Sequence, residues 1–286
     1  MSWSGRAAAL QAIKTARRKI VMVTAYDYVS ARVAAEAGVD IVLVGDSAAN
    51  TVLGYSSTRD VSLDEMIVLT AAVRRGLDAA AGAATPLLIG DMPYGTYEPA
   101  DDAAVETARR FEAAGCDAVK LEGAGASLAR VRAIVAAGIP VMGHVGLLPQ
   151  RVAAGALRAR GRTADEALAI ARDARELEAA GCFAIVFEAM PAAVSALVVP
   201  TLRIPVIGIG AGAATDGQVL VFHDLVGLTD GRTPRFVKRY AELFDEMVRA
   251  VRAFGGDVRE GRYPGEEHVY GIDEAELARL RQGLTT

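Results

Sequence analysis

Cysteine is nearly absent from this chain: there are two in 286 residues. That excludes a disulfide framework and a multi-cysteine zinc site. An excess of positive charge is also missing. Lys and Arg total 31 against 35 Asp and Glu, a net charge of −4, the opposite of what binding to nucleic acid selects. Long apolar runs are missing as well. The longest uncharged stretch, about 133–149, contains Gly138, Pro140, Gly143, His144 and Gly146, which makes it a poor membrane span. Residues 1–19 are basic and acid-free, as transit peptides are, but a strand starting at Lys19 or Ile20 leaves little to remove. These absences read as a soluble, cytoplasmic protein with no nucleic-acid or membrane partner.

What is present is globular. Apolar residues make up 52% and charged residues 23%, in a length that suits one large domain, 1–286, with a polar tail from about 258. One pattern recurs at 34–46, 111–123, 135–146 and 177–189. An alanine-rich helical stretch ends in Ala-Gly, and a short apolar run follows. Gly38, Gly115, Gly138 and Gly181 fit the left-handed position just past a helix. The runs are β-branched and apolar on both faces, as buried parallel strands are. Runs at 19–26, 86–92, 204–212 and 219–224 bring the number to about eight. Helical stretches at 62–77, 101–114 and 163–180 lie between them, the last opened by a capping box of Thr163 and Glu166. This alternation predicts an α/β fold, a (β/α)8 TIM barrel. An open doubly wound sheet is the alternative, because alternation alone does not show closure.

In such a barrel, active sites form at the C-terminal strand ends. Five consecutive strands end in polar groups there: Asp46-Ser47, Asp91, Lys120 with Glu122, His144 and Glu188. Residues two apart share a strand face, which groups Lys120 with Glu122, Asp46 with Val42 and Val44, and Glu188 with Ala184 and Val186. Strands this apolar do not bury charge without a partner. Asp46, Asp91 and Glu122 could converge on one cation, and oxygen ligands without a Cys/His cluster select a hard ion such as Mg²⁺. Ordinary ion pairs, Lys120 with Glu122 for example, are the alternative.

His144 fits a structural hydrogen-bonding role and a substrate contact equally well, and His223 is a weaker strand-end candidate. Cys116 and Cys182 read as buried fillers. The glycines of GIGAG (208–212) suit a close-packed turn better than a dinucleotide fingerprint. Arg151, Arg158, Arg160 and Arg162 form either a solvated face or a reception for an anionic substrate.

The ordered motifs KIVMVTAYDY (19–28), VGDS (44–47), GDMPYGTY (90–97), VKLEG (119–123), PVMGHVGLLPQ (140–150), GRT (161–163), IPVIGIGAG (204–212), DGQVLVFHD (216–224), RFVKRYAE (235–242) and YPGEEHVY (263–270) resemble the ketopantoate hydroxymethyltransferase family. The resemblance implies a barrel of the phosphoenolpyruvate mutase/isocitrate lyase type and an Mg²⁺-dependent step of pantothenate biosynthesis. In it, 5,10-methylenetetrahydrofolate gives a one-carbon unit to 3-methyl-2-oxobutanoate, forming 2-dehydropantoate. It further implies Asp46, Asp91 and Glu122 at the metal, Asp46, Ser47, Asp91 and Lys120 at the substrate, Glu188 as proton acceptor, and a homodecamer. Segments 48–58 and 151–160 and the sequence Glu188-Ala-Met-Pro191 depart from the family pattern beside the substrate. A related Mg²⁺-dependent aldolase or lyase acting on another 2-oxo acid therefore stays open. A non-catalytic barrel is disfavoured, because such a protein has no need of Glu188.

Overall fold

Gly38, Gly115, Gly138 and Gly181 take φ angles of +72°, +100°, +85° and +103°, so each Ala-Gly signal does end a helix and turn the chain into a strand. The structure, a computed structural model, describes residues 3–80, 85–152, 158–229 and 233–285. Its strands are β1 (Ile20–Thr24), β2 (Ile41–Val44), β3 (Leu87–Asp91), β4 (Ala118–Lys120), β5 (Val141–Gly146), β6 (Ala184–Glu188), β7 (Val206–Ile209) and β8 (Gly217–Leu220). Each pairs in parallel with the next, and β8 closes on β1 with Met22 opposite Val219. Closure excludes the open doubly wound sheet.

The helices of the barrel unit are α1 (Trp3–Thr15), α2 (Tyr28–Glu36), α3 (Ala48–Thr51), α4 (Leu63–Asp78), α5 (Asp101–Ala113), α6 (Ser127–Ala136), α7 (Ala164–Ala179), α8 (Ala192–Val198) and α9 (Phe222–Leu225). Strand parity sorts the apolar side chains into two layers. Met22, Leu43, Ile89, Met142, Val186 and Ile207 fill the inside of the barrel. Val42, Val44, Val119, Leu121, Ile185 and Phe187 pack outward against the helices. Each such burial stabilises the fold by roughly 1.5–3 kcal/mol, offset by the entropy of ordering the chain.

Two local expectations are corrected. The last strand is Gly217–Leu220 rather than 219–224. The N–H of Phe222 donates to Thr24 Oγ1 at 2.8 Å, and the chain there enters α9, which places His223 in a helix. Thr163 Oγ1 does accept the Glu166 N–H at 3.3 Å, but the Glu166 carboxylate accepts from Arg162 N rather than from the cap residue. The predicted capping box is therefore half made. Cys116 and Cys182 are buried fillers: Cys116 packs against Gly90 and Cys182 against Gly143.

Residues 1–240 form one compact unit and 241–286 a second. The second holds α10 (Leu243–Arg259) and α11 (Glu274–Leu284), so the segment expected as a tail from about 258 starts in the last turn of α10. Among the described residues, no helix is long and apolar enough to cross a membrane.

Candidate active site

Five strand ends deliver polar groups to one cavity of about 250 Å³, whose lining includes Asp46, Ser47, Asp91, Lys120, Glu122, His144 and Glu188. Parity accounts for most of them. Asp91 follows Leu87 and Ile89 inward, and Lys120 follows Ala118. His144 follows Met142, and Glu188 follows Ala184 and Val186. Asp46 arrives differently. Its supposed face-mates Val42 and Val44 point outward, and β2 ends at Val44, so the turn at Gly45–Ser47 swings the carboxylate into the mouth.

Lys120 Nζ donates to Asp91 Oδ1 at 2.7 Å, and the Asp46 N–H donates to Asp91 Oδ2 at 3.2 Å. The pairing of Lys120 with Glu122 considered from the sequence gives way to a pairing with Asp91. Burial alone would depress the ammonium of Lys120, but Asp91, Asp46 and Glu122 outweigh it and hold the charge above its ordinary range. Burial, with Asp91 next to it, pushes Asp46 well above the usual carboxylate range, although Lys120 and a hydrogen bond from Gln150 work the other way. His144 lies between two acids, with Nδ1 3.6 Å from Glu122 Oε1 and Nε2 3.2 Å from Glu188 Oε2. Neither approach has hydrogen-bond geometry, so these are ion-pair contacts. Burial and Lys120 oppose a charge on this imidazole, yet Glu122 and Glu188 lift its pKa to about 9.

Ser47 Oγ lies 2.8 Å from the hydroxyl of Tyr26, whose pKa burial pushes up to about 12. Gly146, at φ +96°, lets the end of β5 lie against β6. A Cβ there would sit 2.3 Å from the Glu188 carbonyl oxygen. The lining also takes in apolar side chains of the inward barrel layer, Leu43, Val186, Ile209 and Val219. Asn50, Thr51 and Thr58, from the departing segment 48–58, also line the cavity.

The Asp46 backbone N–H meets the Asp91 carboxylate, and Gln150 links the Asp46 and Glu122 carboxylates by its side chain and its backbone N–H. Among the described residues no three of His, Cys, Asp and Glu come close enough to form a metal cage by themselves. The donor set nevertheless suits a hard cation. Three buried carboxylates and Glu188 face two cationic groups, Lys120 and His144, so acids still outnumber bases, and Mg²⁺ commonly takes one or two carboxylates and completes its shell with substrate oxygens and water.

A second cavity, of about 870 Å³, shares Glu188, Pro234 and Phe236 with the first. Arg158, Arg162 and Arg235 line it. Of the arginines noted after β5, Arg160 is exposed and bonds through its N–H to Ala189 O at 2.9 Å. Arg151, also exposed, donates to Ser127 Oγ and the Glu122 carbonyl. Residues 153–157 of the departing segment 151–160 lie outside the described residues. Gly210 and Gly212 do make a close-packed turn. A Cβ at Gly210 would meet the Phe236 ring at 2.6 Å, and one at Gly212 would meet Ala192 at 2.4 Å. Sequence reasoning missed Gln150, Tyr97 and Tyr26, although all three stand inside motifs already marked as distinctive.

Residues 5–266 match the profile of the family described as ketopantoate hydroxymethyltransferase. A 3-methyl-2-oxobutanoate hydroxymethyltransferase of Oleidesulfovibrio alaskensis is 51% identical over 98% of this chain and 95% of that protein. Among solved structures, a phosphoenolpyruvate phosphomutase from Streptomyces platensis subsp. rosaceus gives a TM-score of 0.59 at 18% identity, covering 98% of this chain and 96% of that one. A 2,3-dimethylmalate lyase, described as a member of the PEP mutase/isocitrate lyase superfamily, gives 0.56 at 18% identity, over 97% of this chain and 99% of its own. The two solved structures share the barrel, and the sequence matches carry the assignment: this chain belongs to the ketopantoate hydroxymethyltransferase family.

Proposed function

We propose that the chain transfers a one-carbon unit from 5,10-methylenetetrahydrofolate to 3-methyl-2-oxobutanoate, giving 2-dehydropantoate, with Mg²⁺ received by Asp46, Asp91 and Glu122. The observation that carries this reading is the polarity of the first cavity. Acids and Lys120 share its lining with the branched aliphatic Leu43, Val186, Ile209 and Val219, and Glu188 lines the second cavity as well. A short 2-oxo acid with a branched apolar end fits that lining. Mg²⁺ would supply charge to polarise the 2-oxo group.

The residues of the chain supply the rest. Lys120 offsets the charge of the substrate carboxylate. Leu43, Val186, Ile209 and Val219 hold the isopropyl end and exclude water. Glu188 takes the proton from C3, and His144 Nε2, 3.2 Å from its Oε2, restrains the direction of that carboxylate. The C3 electron pair bonds the methylene carbon, both bonds from that carbon to the folate nitrogens break, water supplies the product hydroxyl, and tetrahydrofolate leaves with its nitrogens protonated. The arginine-lined second cavity suits the carboxylates of the folate.

The same reading takes the protein as cytoplasmic and homo-oligomeric. Phe244, Met247, Val251, Phe254 and Val258 recur at helical spacing on α10 and are all exposed, which supports burial against other copies. The deciding assay is product formation from 3-methyl-2-oxobutanoate, with Mg²⁺ and the folate each present or omitted. Turnover that needs both upholds the proposal. Turnover of another 2-oxo acid without folate would move the chain to the lyase reading.

A further inference from the structure

Gln150 follows β5 in a single 3₁₀ turn and is 1% exposed. Its backbone N–H donates to Glu122 Oε2 at 3.1 Å. Its side-chain Nε2 donates to Asp46 Oδ2 at 2.9 Å and to the Met92 carbonyl at 3.1 Å. Its Oε1 accepts from the Tyr97 hydroxyl at 2.7 Å, and the Tyr97 oxygen in turn accepts the Glu122 N–H at 3.3 Å.

Chemistry fixes the direction of this chain. The Met92 carbonyl can only accept, so the amide nitrogen must face it and the amide oxygen must face Tyr97. The Tyr97 proton then points to Gln150, which frees a lone pair for the Glu122 N–H. Every polar group of the Gln150 amide is used, in a place where an unpaired one costs about 1–3 kcal/mol.

We propose that Gln150, braced by Tyr97, is a positioning residue that holds Asp46 and Glu122 in the orientation that receives the divalent cation. This rests on the cation reading above. One residue spans the two acids: its side-chain amide takes up one oxygen of Asp46, and its backbone N–H one oxygen of Glu122. Because the donor is neutral, it fixes the carboxylates without cancelling the charge that attracts the ion. A lysine here would cancel that charge, and a glutamate would present an acceptor to Asp46. Partners of this kind are worth about ten- to a hundredfold in metal affinity.

The test is Mg²⁺ titration by calorimetry and Mn²⁺ titration by electron paramagnetic resonance, with no substrate added, on wild type, Gln150→Met and Tyr97→Phe. Gln150→Met keeps the backbone bond to Glu122 and removes the amide. It should weaken cation binding about tenfold or more. Tyr97→Phe leaves Nε2 on Asp46 and should weaken it a few-fold. In turnover, the cation concentration for half-activation should rise in Gln150→Met, while kcat recovers toward wild type at saturating Mg²⁺. A merely structural role would lower thermal stability and kcat without that shift. Wild-type binding with equal affinity in Gln150→Met overturns the positioning role and leaves the cation reading standing. If Gln150→Met does not fold, Tyr97→Phe decides, and unchanged affinity in it overturns the role. No binding by wild type overturns the cation reading itself.

Discussion

Two lysines at opposite ends of the barrel show how differently its ends are built. At the N-terminal end, Lys14 of α1 donates to the carbonyls of Leu202 at 3.0 Å and Ile204 at 2.7 Å, and meets Asp216 Oδ2 at 3.0 Å. Two carbonyls and one carboxylate thus surround its ammonium. At the C-terminal end, Lys120 donates to Asp91 Oδ1 at 2.7 Å, amid a surplus of acids. The end that ties helix to barrel satisfies its polar groups internally. The end that does chemistry holds charge that its own side chains leave unbalanced, a state that persists only because the surrounding barrel enforces it. Substitutions at the two ends should therefore fail in different ways.

The largest effect belongs to the mouth. Glu188→Gln keeps size and hydrogen bonding but cannot accept a proton, and loss of a general base costs about 10²–10⁴-fold in rate. Thermal stability and substrate binding should hold. Exchange of the C3 proton of 3-methyl-2-oxobutanoate in D₂O with Mg²⁺ isolates the step. A variant that exchanges as fast as wild type would pass the role to water or another acid.

The N-terminal end should show the converse. Lys14→Met keeps most of the apolar stem, strands the Leu202 and Ile204 carbonyls and removes the ion pair to Asp216, whose Oδ2 keeps the Val206 N–H. Losing bonds from a charged donor costs about 1.5–3 kcal/mol, and each kcal/mol lowers Tm by roughly 2–4 °C in a unit of this size. Calorimetric melting should record that loss while kcat/KM stays within about twofold of wild type. A catalytic defect without a fall in Tm would break the division between the ends.

This asymmetry also explains what the sequence made legible. Strand ends marked Asp91 and His144, and strand period two marked Lys120 and Glu188, as groups of the mouth, and each does lie on a strand, where alternation is strict. Asp46 came to the mouth by a turn beyond β2, which alternation does not describe. The end of β8 was overrun for a related reason: VLVF continues an apolar run, and only the bond from Phe222 N to Thr24, distant in sequence, ends the strand. Gln150 and Tyr97 are neutral and come from loops, so neither charge nor periodicity marked them, and their importance shows only once hydrogen bonds are drawn.

A weaker contrast separates the two cavities of the mouth. The first is built from buried groups. The second presents Arg158 and Arg162, both exposed, where single ion pairs are worth about 0.2–1 kcal/mol. Replacing both with Ala should raise the folate KM about two- to fivefold at low salt, with less effect at high salt and none on the KM of the 2-oxo acid. An unchanged folate KM at low salt would make these arginines an ordinary solvated face.

His223 sharpens the boundary from the other side, since it lies near the mouth in α9 yet lines neither cavity. It is half-buried between the rings of Tyr26 and Phe222, with centroids at 5.4 Å and 6.1 Å. Burial lowers its pKa, against the opposing charges of Asp27 and Asp224. A histidine whose pKa is lower folded than unfolded favours the folded state fully only above its unfolded value, about 6.5. As pH falls through that value the unfolded chain takes up the proton first, so stability drops until the folded pKa is also passed. Denaturant unfolding between pH 7.5 and pH 5.5 should therefore show a steeper loss in wild type than in His223→Phe, which has no imidazole to titrate. The difference is small, because the group is partly exposed and solvent screens it. Parallel pH profiles would show that His223 does not act as a neutral packing group, and the line between the structural and chemical parts of the mouth would then have to be drawn elsewhere.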